Sequence, residues 1–268
     1  MYLDKKALRL VIAEGAVFVL LWIAAIAAGM VYSYNGKDGM SFFFVSVIIA
    51  GFGAISVRNR FYKAGLKIFT DSVYYDIQTA CDPEKYIKLF HDAANDTSYV
   101  YAKPSLFSVA YLASAYHLAG DDEKAKEWLA NAEALAKSKN DRVILEVIKA
   151  KLCYGSGDVA GGDAILAQVE SQKPGGRITV YLGELRSGRR AYAVGEYDTL
   201  EKSARAQLDP GKMPPLTNLE KANEHFYLAS ALEHRGCIDE AKEHYTEAAR
   251  LGNRTIFGTR SQERLQNL

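Results

Sequence analysis

The sequence predicts an all-α chain in two parts, a pair of apolar helices followed by a stack of about five helix-turn-helix repeats. Three observations carry that expectation. Residues 10–33 and 41–57 are long apolar runs with few charges. Small and aromatic residues recur at fixed positions through 105–139, and other stretches downstream repeat the pattern. Glycines and an Asp-Pro step fall where one helix of each pair hands over to the next. With 24% charged and 11% aromatic residues, the composition does not point to disorder. A net charge of +1 gives no global attraction to nucleic acid, which is not expected among the partners.

The elements follow in order. Lys5, Lys6 and Arg9 precede the first apolar run, in which Glu14 is the one charge. At ~1.5 Å per residue that run is long enough to cross a bilayer, and the second is close to the shortest that can. Asn35-Gly36 and Asp38-Gly39 between them are turn formers, so residues 1–57 read as a transmembrane hairpin. A cleaved signal peptide is the rival reading of the first run, disfavoured by the run's length and by Glu14. Arg58, Arg60, Lys63 and Lys67 follow the second run, against Lys37 alone in the connecting loop. This bias predicts both termini on the cytoplasmic side, with 58–66 as a basic juxtamembrane segment facing anionic headgroups, and the simplicity of the hairpin favours a bacterial inner membrane. Glu14 is then a possible intramembrane contact for a partner helix.

From Leu106 as position 1, Ala113, Tyr116, Gly120, Ala125, Leu129 and Ala132 fall at positions 8, 11, 15, 20, 24 and 27. From Ala222 the same positions are Ala229, Leu232, Gly236, Ala241, Tyr245 and Ala248. Starts at Lys67, Val143 and Tyr181 give weaker versions. Small residues let paired helices approach closely, and a glycine at position 15 releases the chain from the first helix. Asp121 or Asp122 can then cap the second. This spacing resembles the tetratricopeptide repeat, although starts 37 to 41 residues apart exceed that family's usual ~34. The resemblance implies an α-solenoid over 67–268, with the polar segment after Gly252 as a capping helix.

It also implies a concave groove lined by first helices, where extended peptides bind. Matched position by position, the groove residues include Tyr75, Ser114, Lys151, Tyr154, Arg189, Tyr192, Ser230 and His234. The middle of that set is basic and aromatic, which suits an acidic segment or a terminal carboxylate. The paired asparagines of the family's chaperone-binding members are not reproduced.

Other chemistry is thinly represented. Cys81, Cys153 and Cys237 are odd in number, lack metal or redox spacing, and read as small buried hydrophobes. The glycine-rich stretch 155–162 lacks the lysine of a nucleotide loop and reads as a turn. His225 and His234, nine residues apart, point to opposite helix faces. No nucleophile stands at a recognisable spacing from a base, so neither a cofactor nor an enzymatic role is expected. The chain reads as a membrane-anchored scaffold that recruits partner proteins. The alternative is an accessory subunit of a membrane transporter, secretion or envelope-synthesis complex.

Overall fold

The computed structural model describes residues 67, 69–95, 105–209, 211 and 215–268, together with scattered positions within 13–31 and 52–56. Every regular element among them is helical. Among the described residues no helix is long and apolar enough to cross a membrane. This overturns the expectation of two spanning helices at 10–33 and 41–57, and with it the integral inner-membrane location. A span requires about 20 consecutive apolar residues in one helix, and apolar composition alone does not supply one. Glu14, the connecting residues 34–40 and the segment 58–66 lie outside the described residues.

The chain divides into two units, Met1–Ile68 with Asp96–Lys103, and Phe69–Asn95 with Pro104–Leu268. In the second unit the helices come in pairs. A wide π-helical turn, Val73–Thr79, precedes α1 (Pro83–Asn95). Next come α2 (Leu106–Leu118) and α3 (Asp122–Leu135), then α4 (Lys139–Gly155) and α5 (Val159–Ser171). The fourth pair is α6 (Gly176–Leu185), a second π turn (Arg186–Arg190) and α7 (Ala191–Val194), returning through α8 (Tyr197–Leu208). The fifth is α9 (Asn218–His234) and α10 (Ile238–Gly252), with α11 (Ile256–Asn267) packed on it.

Local chemistry sets the helix ends. Ser105 with Ser108, Ser138 with Asp141 and Thr217 with Glu220 form reciprocal capping boxes that start α2, α4 and α9. Asp121 and Asp158 accept from backbone N–H groups at the starts of α3 and α5. Position 15 of each pair has a positive φ: 52° at Cys81, 87° at Gly120, 83° at Gly157, 74° at Gly195 and 79° at Gly236. Four of the five are glycine because a side chain is disfavoured there.

The interior of each pair is filled from the repeated positions. Ala113, Ala125 and Ala132 have no exposed surface, and neither do Ala229, Ala241 and Ala248. These alanines let the backbones close while Leu129 and Tyr245 fill the space beside them. In the third pair Ala150, Leu166 and Val169 pack with Leu182 and Leu185 of the next. The first pair departs from the pattern. Its π turn rotates the helix face, so Val73 is 6% exposed while Tyr74, at the expected packing position, is 57% exposed. The cysteines depart as well, since only Cys81 is buried and Cys237 is exposed at the start of α10. Burial pushes the Cys81 thiol up to about 11.

The stack closes on itself. The last carbonyls of a helix have no partner within it, and those of the first π segment are met by the fifth pair. Asn218 Nδ2 donates to Thr79 O at 2.7 Å, Asn253 Nδ2 to Ala80 O at 3.0 Å, and the Arg254 backbone N–H to Cys81 O at 3.1 Å. Thr217 Oγ1 donates to Gln78 Oε1, and the Arg254 guanidinium reaches Glu84 Oε2 at 2.8 Å. α11 also packs against α2. The expected groove is therefore a pocket within this unit, open to solvent on one side.

Candidate binding cavity

That space is a cavity of about 580 Å³, within the range of ligand pockets. The first π turn, α2, α4, α6, the second π turn and α9 all contribute walls, and Phe257 of α11 closes one side. His117, Leu152, Leu185, Tyr227 and Phe257 are buried and mark its depth. Glu184, Pro215 and Glu220 are exposed and mark where it meets solvent.

Two cations reach into it. The Lys151 ammonium lies 4.8 Å from the Tyr181 ring centroid, and the Arg189 guanidinium 5.7 Å from that of Phe257. Arg189 also lies 3.1 Å from His117 Nε2. Arginine only donates, so Nε2 accepts and Nδ1 carries the proton. That nitrogen donates to Asp122 Oδ1 at 2.6 Å, completing a chain from guanidinium through neutral imidazole to carboxylate. Burial holds the His117 pKa below the usual histidine range, with Arg189 adding to it and Asp122 opposing it. The His117 bond in turn lowers the Asp122 pKa. Gly155 makes room for the ring, since a Cβ there would come within 2.5 Å of His117 Cε1. Among the described residues, neither Lys151 nor Arg189 has a carboxylate in direct ion-pair contact.

The sequence-expected groove residues separate. Ser114, Lys151 and Arg189 line the cavity, Ser114 with its hydroxyl donated to Ala110 O. Tyr154 instead lies in the core with its hydroxyl on Asp163, because α5 packs Gly162 against its ring. Tyr192 turns to Phe226 and Tyr227. Ser230 is buried, bonded to Phe226 O and Tyr245. His234 stacks on Tyr197 at 4.0 Å, and Tyr75 lies exposed against Tyr74.

The position-by-position match places His117 on this face but gives no sign of its bridge to Asp122. Tyr111, Phe257 and the carboxylates Glu184 and Glu220 were not singled out, Tyr181 entered only as a repeat start, and Glu224 only beside His225. A cavity expected to be basic is therefore bipolar. Elsewhere, His225 pairs with His244, Nδ1 to Nδ1 at 2.9 Å, rather than with His234. Among the described residues no group of three or more His, Cys, Asp or Glu is arranged to hold a metal.

Comparison with known protein families, with curated proteins and with solved structures gives no match.

Proposed function

We propose that the helical unit is a protein-interaction module of tetratricopeptide-like construction that holds an acidic segment of a partner protein in its cavity. The observation that carries this reading is the convergence of Lys151 and Arg189, from neighbouring pairs, on one pocket with aromatic walls. An anion there receives charge-assisted hydrogen bonds partly shielded from bulk water, where they are stronger than on an open face. The Asp122 and His117 chain holds Arg189 in place without consuming its charge.

The test is recovery of partners. Proteins co-purifying with the full chain are identified by mass spectrometry and compared with those recovered by the Lys151→Glu, Arg189→Glu double variant. Loss of a specific partner at unchanged helicity supports the reading. Lys124→Glu with Lys126→Glu is the control, because those lysines are exposed and already paired with Asp121 and Glu123. Equal or greater loss in the control sinks the proposal.

A further inference from the structure

The pocket has a direction. The later turns of the first helices form its depth, where His117, Leu152 and Tyr227 are buried, and its mouth lies by their earlier turns, where Glu184 and Glu220 are exposed. One turn nearer the helix starts than the lining residues Tyr111, Ile148 and Glu184 stand Phe107, Ile144 and Val180. All three are large apolar side chains, 37%, 51% and 65% exposed. Residues four apart on a helix share a face. Phe107 therefore continues the pocket face of α2, with its ring centroid 4.4 Å from that of Tyr111. Ile144 continues that of α4, where Ile148 and Lys151 follow it by four and seven residues. Val180 does so on α6, next to Tyr181, over whose ring the Lys151 ammonium lies. Apolar side chains scattered singly over a surface are ordinary. Here they stand at one step outside the pocket on helices that pack as neighbours, and so form an apolar ledge at its mouth. The α9 side of the mouth is polar instead, with Glu220 exposed and Thr217 and Asn218 engaged in the contact with the first π turn.

From this arrangement we infer that the ledge belongs to the same site as the two cations, and that the occupant is an amphipathic segment of a partner protein. Its acidic group enters toward Lys151 and Arg189, and a large apolar side chain beside that group lies on Phe107, Ile144 and Val180. The inference rests on the anion-holding role of the two cations. Charge complementarity selects the acidic group, and the shared helix faces carry the segment out over the ledge. A uniformly acidic segment would leave that apolar surface in water, and a uniformly apolar one would strip water from Lys151 and Arg189 without replacing it.

A scan of acetylated, amidated octapeptides tests this by calorimetric titration of the full chain. The parent peptide carries Asp-Glu at its centre and serine elsewhere, and each member of the series replaces one serine by leucine. At least one leucine peptide is expected to bind about tenfold more tightly than the parent, the lower end of what burying a leucine contributes. Ile144→Ser with Val180→Ser should reduce that gain to within about twofold and leave the affinity for the parent unchanged. Both side chains are exposed, and circular dichroism confirms that the variant is folded. If every leucine peptide binds like the parent, or if the gain survives the ledge variant, the amphipathic occupant is overturned and the anion reading stands alone. Binding that survives Lys151→Glu with Arg189→Glu overturns the anion reading and this inference with it, and so does failure of every peptide to bind. Concentration-dependent dimerisation of the full chain that the ledge variant abolishes would assign the ledge to a second copy and overturn the partner segment.

Discussion

The interiors of the helix pairs and the seam where the last pair meets the first are built from different materials. Inside a pair such as α9 and α10, contact is mainly apolar, with fully buried Ala229 and Ala241 permitting the close approach and the Ser230–Tyr245 and His225–His244 contacts as its polar exceptions. At the seam, contact runs through side-chain amides, backbone carbonyls and the Arg254 guanidinium, at Thr79, Ala80, Cys81 and Glu84. The first kind scales with area removed from water. The second depends on a few directional bonds, each contributing roughly 0.5 to 1.5 kcal/mol net. Stability and closure are thus assigned to different parts of the unit, and one can be perturbed without the other.

Substitutions inside a pair should have the largest effect. Leu200→Ala removes a fully buried side chain of α8 and should cost about 2 to 5 kcal/mol in chemical denaturation. Ala241→Leu overpacks the α9 and α10 contact and should cost about 1 to 3 kcal/mol. If either leaves the midpoint unchanged, the interiors are not what holds the unit together.

A smaller effect is expected at the seam. Asn218→Ala with Asn253→Ala leaves the Thr79 and Ala80 carbonyls without their donors. About 1 to 3 kcal/mol should be lost in total, with faster hydrogen exchange in the first π turn and α1 but not in α9. Uniform loss of protection across the unit would erase the distinction. Arg254→Ala should cost less than about 1 kcal/mol, and the loss should fade in high salt because the Glu84 pair is exposed.

The smallest effect concerns pH and belongs to the pairs. Burial and the neighbouring His244 depress the His225 pKa to about 4, and burial lowers that of His244. Both are held neutral when folded, whereas the unfolded chain takes up protons from about pH 6.5 downward. Their contribution is full above that value and is lost as pH falls toward 4. Melting temperature should therefore decline across this window, and His225→Asn with His244→Asn should flatten the decline. An unaltered slope in the double variant would move the acid sensitivity to the His117 and Asp122 chain or to the seam.

The same contrast explains what was legible in the sequence. Pair interiors repeat, so Ala113, Gly120, Ala125, Leu129 and Ala132 announce both the helix boundaries and the packed face. The seam does not repeat, because Asn218, Asn253 and Arg254 match nothing in other pairs and their targets are backbone carbonyls. Closure was consequently invisible, and an open groove was expected in place of a cavity. The site was half legible for a related reason. Position along a repeat put Lys151 and Arg189 on the face that lines the pocket, but the fate of Tyr154, Tyr192 and Ser230 depended on the π turns and on which helix packs behind. At the N-terminus hydropathy was read as two spans, a reading that the absence of any long apolar helix among the described residues corrects.

Closure also fixes arithmetic. An open solenoid tolerates gain or loss of a repeat, since each unit contacts only its neighbours. Here the fifth pair supplies the donors that finish the first, so adding or deleting one pair would leave Thr79 and Ala80 facing the wrong partner. Copy number in this unit is accordingly not a free variable. Sequence change should be channelled into substitutions and loop lengths, never into duplication of a pair.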